Sequence, residues 1–166
     1  MTNEQIAWDR WLTGLPEQQR TTATGLRDRF ARLGAPGPGE WARSEVSEDI
    51  PQMARFLLLR RLWEEAINGW GDPGAVENIP AAARLLTAGA NRDDIVLAMR
   101  TAAFEAVFAT LLAIDEGGPI TPDDQPLPGW RLHETDSTGR DTGRRLGGLY
   151  ESLRETAPSE RDAQDL

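Results

Sequence analysis

Cysteine and lysine are both absent from the 166 residues, and histidine and tyrosine occur once each, as His133 and Tyr150. Without cysteine there is no disulfide framework, zinc ribbon, iron–sulfur cluster or thiol nucleophile. One imidazole cannot build a site of several histidine ligands. Carboxylates, hydroxyls and arginines are the reactive groups left, and a hard, oxygen-ligated cation remains open. The all-arginine basic set reads as codon bias of a high-GC genome and hints at a bacterial source. The first residues hold no basic stretch followed by an apolar run, so no secretory leader is expected and the chain is expected to be cytoplasmic. The longest apolar stretch, from Ile95 to Ile114, is interrupted by Arg100 and Glu105, which reads as a buried helix and not a membrane span.

What is present describes an ordinary globular chain, 39% hydrophobic and 27% charged. Its length suits one helical domain, 1–166, that buries roughly 70% of the surface of the unfolded chain. The net charge is -9. The field therefore repels phosphate backbones and anionic lipid, and neither direct nucleic-acid binding nor membrane binding is expected.

Apolar residues recur at helical spacing through most of the chain. Trp8, Trp11, Leu12 and Leu15 mark a first helix, and Leu26, Phe30 and Leu33 mark a second one ending at Gly34. The segment 34–39, rich in proline and glycine, reads as a flexible linker without regular structure. Ser47, two early carboxylates and Pro51 predict a long helix over 48–70, with Phe56, Leu59, Trp63, Ile67 and Trp70 in one stripe. Ile79-Pro80 opens a short helix. Asn91 and Asp94 start a capping-box-like helix over 92–115 that Gly117-Gly118 stops. That helix is apolar on nearly every side, with a small-residue stripe of Ala102, Ala106, Ala109 and Ala113, so it is expected at the centre, antiparallel to 48–70. A hairpin near residues 130–146 turns at Asp136-Ser-Thr-Gly139, a short helical piece follows at 149–153, and the tail 157–166 is polar. The expected fold is mainly α, a compact bundle of five or six helices with a small C-terminal β-hairpin.

Two groups of residues are candidates for chemistry. Arg60 and Arg61 stand one turn before Glu64 and Glu65, so each cation faces one carboxylate. The ordinary account is a solvated, salt-bridged face. The chemical account is a carboxylate pair that holds Mg²⁺ beside arginines clamping a phosphate. In this respect Glu64-Glu65 resembles half of the acidic signature of the MazG-like nucleotide pyrophosphohydrolases, which carry a Glu-x-x-Asp on the next long helix. Here Glu105 is followed by Phe108 where that aspartate belongs. Arg100 and Glu105 inside the apolar helix are expected to need partners, Arg55 or Arg60 for Glu105, or to make Glu105 a general base or metal ligand in a pocket.

The second group is a surface. Asp115, Glu116, Asp123 and Asp124 gather carboxylates near one loop, at a spacing unlike a calcium-binding loop. Trp8, Trp11, Trp41 and Trp130 lie on short elements, where an indole clamps a loop or waits for a partner. His133 with Glu134 and Asp136 has the residue types of a base and its orienting acid, but neighbours on a strand point to opposite faces. The glycines and arginines of 139–148 lack the Gly-Lys-Ser/Thr ending of a phosphate loop.

Two function classes follow. The favoured one is a noncatalytic acidic module of inhibitor or immunity type that needs no cofactor and meets a basic protein through Trp41, Trp130, Asp115, Glu116, Asp123 and Asp124. It is favoured because no nucleophile, complete metal motif or cofactor loop is present. The alternative is a small all-helical Mg²⁺-dependent hydrolase of a nucleotide or other phosphorylated substrate, with Glu64, Glu65 and Glu105 catalytic and Arg60 and Arg61 binding substrate. A homodimer is compatible with either.

Overall fold

In the computed structural model the described residues are 3–118, 127–159, 162, 164 and 166. They are mainly α-helical with one two-stranded antiparallel hairpin near the C-terminus. Contacts divide the chain into two compact units, Met1–Phe56 with His133–Leu146, and Leu57–Leu132 with Gly147–Leu166.

The first unit holds α1 (Asn3–Thr13), α2 (Glu17–Arg32), α3 (Pro38–Glu48) and the start of α4 (Gln52–Arg61). It also holds most of the hairpin, β1 (Leu132–Thr135) and β2 (Asp141–Leu146). Its core is aromatic: Phe30, Trp41 and Phe56 meet pairwise with ring centroids 5.7 to 5.9 Å apart. Trp8 closes one side, with the Arg27 guanidinium 4.9 Å from its ring centre.

Helix α3 was not expected, because its first residues lie in the segment read as a linker. Gly37 adopts the left-handed conformation at the N-cap and Pro38 takes the first helical position, where a missing N–H costs nothing. Ala35, inside the same segment, is buried. The two breakers therefore start a helix here.

The helix expected over 48–70 is also divided. Asp49 ends α3 in a left-handed conformation, φ 56°, which a short polar side chain tolerates better than a branched one. Pro51 then precedes α4, and the Glu45 carboxylate accepts the otherwise unpaired N–H of Met53 at 2.9 Å. Beyond Arg61 the chain widens into a π-helical turn, Leu62–Ile67, and tightens into a 3-10 turn, Asn68–Gly71.

The second unit adds α5 (Pro80–Thr87), α6 (Arg92–Glu116) and the short α7 (Leu149–Ser152). Leu59, Trp63 and Ile67 are fully buried as the stripe predicts, whereas Trp70 is only partly covered. The Trp63 ring lies 5.6 Å from Phe104 of α6, and its indole N–H donates to the Leu153 carbonyl at 2.7 Å. Asn91 caps α6 by accepting the N–H of Asp93.

The expectation that α6 is a buried, central helix does not hold for most of its surface. Only Phe104 and Leu111 of its 25 residues are buried, and Ala98, Ala102, Ala106, Ala109 and Ala113 face outward. By length and composition alone this helix is apolar enough to cross a membrane, a test that core helices of soluble proteins also pass.

Candidate functional site

The surface of interest is built on the outer half of α6 in the second unit. Leu58 and Leu62, from the end of α4 and the turn after it, stand with Val107, Leu111 and Ile114 of α6 and with Leu132. Together they line an open groove of about 400 Å³ with almost no polar wall. Leu57, Leu85, Leu97, Leu127, Trp130 and Leu132 of the same unit are each more than a third exposed.

Trp130 is held at the C-terminal end of α6 by backbone chemistry. Its N–H donates to the carbonyl of Gly117, the residue that ends α6, at 3.0 Å, and its indole N–H donates to Ala113 O in the last turn of the helix at 2.9 Å. The approach depends on glycine: a Cβ on Gly129 would lie 2.3 Å from Gly117 O. Trp130 is 46% exposed, so the indole is fixed in orientation and still open to a partner.

Asp115 has a different task from the one its acidity suggests. Its Oδ2 accepts the N–H groups of Leu149 at 2.6 Å and Tyr150 at 3.3 Å, tying the start of α7 to the end of α6. Replacing Asp115 by Ala should lower the stability of this unit by about 0.5–2 kcal/mol, the range for lost helix caps, and Asp115→Asn should cost less because an acceptor remains. Urea unfolding checks this, and equal losses in the two variants would contradict it. Glu116 is exposed.

Next to α7 a second depression, about 370 Å³, is lined by Phe104, Glu105, Phe108, Tyr150, Glu151 and Arg154. Phe108 and Tyr150 meet edge to face, 5.6 Å apart at 87°, and form a corner. The Tyr150 hydroxyl donates to Glu151 at 3.1 Å. That hydrogen bond, followed by the charges of Glu151, Asp115 and Glu116, holds the phenol above its ordinary pKa of 10.0.

The remaining expected residues separate. Trp41 is 8% exposed in the core of the first unit and donates to Pro36 O, so it has no face to offer a partner. Asp123 and Asp124 lie outside the described residues. Glu64 bonds Arg60 at 3.1 Å and Glu65 bonds Arg61 at 3.0 Å, the solvated i,i+4 pairs that the spacing predicts. Glu105 is exposed and carries no ion pair to Arg55 or Arg60, while Arg100 finds Asn68 and Asp162. Among the described residues no three acids or histidines are grouped to hold a metal ion. His133 pairs across the hairpin with Asp141 at 3.1 Å and is exposed.

In the first unit a polar cluster escaped sequence reading. Arg144 of β2 reaches Glu134 at 3.1 Å, Asp49 at 3.2 Å and Glu45 at 3.6 Å, beside an open polar cavity of about 440 Å³. The partners are far apart in sequence, and no local pattern announces them. No protein-family model matches the chain, nor does any curated protein or solved structure.

Proposed function

We propose that the chain is a noncatalytic protein-binding module of inhibitor or immunity type, and that it receives a basic, amphipathic partner on the groove of α6. The groove itself carries this reading. An open apolar depression rimmed by polar residues marks an interaction site, and its half-buried side chains gain about 25 cal/mol for each further Å² that a partner covers. Here Leu58, Leu62, Val107, Ile114 and Leu132 line one groove, and Trp130 stands exposed at the end of the same helix. An interface of this kind has an apolar centre with an aromatic anchor.

Charge supports the choice of partner. A net charge of -9 draws cations and repels acidic proteins, so a basic partner associates faster and with a rate that salt reduces. Glu116, on the last turn of α6, is one of these charges and is exposed.

A photo-crosslinker at Thr110, compared with one at Glu17 in the first unit, tests the proposal. The expected result is an adduct at Thr110 only, with a protein of positive net charge that binds in purified form. Val107→Asp and Thr110→Asp should both weaken that binding about tenfold or more, the loss expected for a charge placed in an apolar interface centre. Adducts at both positions, an acidic partner, a second copy of this chain, or unchanged affinity in both variants would each sink the proposal.

A further inference from the structure

We infer that the cleft between α6 and α7, walled by Phe108 and Tyr150 and edged by Glu105 and Glu151, is a recognition site for a guanidinium group, the head of an arginine on the partner. The inference rests on the module reading above and specifies which side chain of a basic partner is read. Three observations support it.

The first is shape. Phe108 and Tyr150 stand at 87° with centroids 5.6 Å apart, and Phe104 stacks behind Phe108 at 6.5 Å, so the cleft presents ring surface to a flat cation. Aromatic faces attract cations through their quadrupoles, and guanidinium, being planar and weakly hydrated, stacks on them better than ammonium does.

The second is charge. Glu105 and Glu151 are both exposed at the cleft, and among the described residues no ion pair engages the Glu105 carboxylate. Among the described residues that line the cleft, two carboxylates stand against one guanidinium, that of Arg154. Asp115 and Glu116 add to the negative field at the Tyr150 hydroxyl. A forked donor set matches carboxylate oxygens in pairs, which a point-like ammonium does not.

The third is an occupant of the same chemistry within the chain. The Arg154 guanidinium already lies 5.2 Å from the centre of the Phe104 ring, and its Nη2 donates to the Leu166 carbonyl. The aromatic floor of the cleft therefore accepts a guanidinium in the protein's own fold. The volume, about 370 Å³, leaves room for a second one beside it.

The test uses the intact chain and the ring resonances of Tyr150, unambiguous because it is the only tyrosine. Nα-acetyl-arginine methylamide should shift them saturably. The lysine analogue should bind at least about threefold more weakly, and the neutral citrulline analogue should leave them in place. Glu105→Gln with Glu151→Gln should weaken the arginine probe about fivefold, the loss of two exposed charge pairs, at an unchanged melting temperature. No saturable shift with arginine, an equal response to citrulline, or an equal response to lysine would overturn the inference. A Thr110 adduct with a basic protein alongside an unmoved Tyr150 would remove the cleft and leave the module reading standing. A shifted Tyr150 without that adduct would remove the module reading instead.

Discussion

Trp63→Ala should destabilise the second unit by about 3–5 kcal/mol, the cost of emptying a large aromatic site that cannot fully collapse. Trp63 has no exposed surface, packs on Phe104 at 5.6 Å, and its N–H is bonded to the carbonyl of the equally buried Leu153. The alanine variant creates a void and also removes one of the donors to that carbonyl, which keeps only the N–H and hydroxyl of Thr156. Against a typical total stability of about 5–15 kcal/mol, such a loss brings the unit close to unfolding at room temperature. Trp63→Phe keeps most of the ring contact and loses only the hydrogen bond, so it should cost about 1–2 kcal/mol. Urea titration with amide exchange over residues 57–118 distinguishes the two. A loss under about 1 kcal/mol in the alanine variant would show that the π-helical turn is not anchored as described. The variant also has a functional consequence, because Phe104, the floor of the aromatic cleft, loses its backing.

Arg144→Ala should destabilise the first unit by about 2–3 kcal/mol, below the full cost of breaking a buried pair because the groups are partly solvated. Glu45 and Glu134 have side chains only 11% and 15% exposed, and without the guanidinium each would be an uncompensated carboxylate. Asp49, 88% exposed, would lose little.

The pH dependence of this loss has a definite sign. Burial pushes the Glu45 carboxyl above its ordinary 4.5, and the charge of Glu134 adds to this, while the Met53 N–H and the Arg144 charge pull it down. A raised carboxyl pKa means that the folded state binds the proton more tightly than the unfolded chain does. The stability it contributes is complete below 4.5 and disappears as pH rises through the elevated folded value. Wild type should therefore gain stability relative to Glu45→Gln on mild acidification from neutral pH. That gain should be larger in Arg144→Ala, which lacks one of the two groups opposing it. Asp136 and Asp141 in the same hairpin have the opposite behaviour. Their hydrogen bonds, to Thr138 first for Asp136 and to the Gly143 N–H first for Asp141, hold them below 3.8, so their contribution is lost only in stronger acid. Adding Glu45→Gln to Arg144→Ala should restore part of the lost stability at pH 7. Melting curves of the four variants at several pH values read this coupling directly. An Arg144→Ala loss that is identical at all pH values and in both backgrounds would refute it.

Much of the local structure is legible without coordinates, since helix ends and i,i+4 pairs depend on residues within one or two turns. Asn91 caps α6, Gly117 ends it, and Arg60 and Arg61 bond Glu64 and Glu65, all as spacing predicts. The hairpin turn also follows from its residues, with Asp136 accepting the N–H of Thr138 and Gly139 in the left-handed conformation. Gly37 and Pro38 misled because a left-handed glycine and a fixed φ both end helices and begin them, and only the burial of Ala35, Gly39 and Trp41 selects the second use. The π-helical turn at Leu62–Ile67 has no local cause either; the same turn carries Trp63 to the Leu153 carbonyl, 90 residues away.

The amino-acid order by itself determined the reactive inventory, the sign of the field, the hairpin and where most helices begin and end, because each of these is a property of composition or of near neighbours. Tertiary structure alone decided which side of α6 is covered, that Trp41 is core while Trp130 is surface, and that Phe108 and Glu105 meet Tyr150 and Glu151. A helix apolar on every side carries no instruction about which face to bury. That choice belongs to the segments packed against it, and their distance along the chain hides it from any periodic pattern.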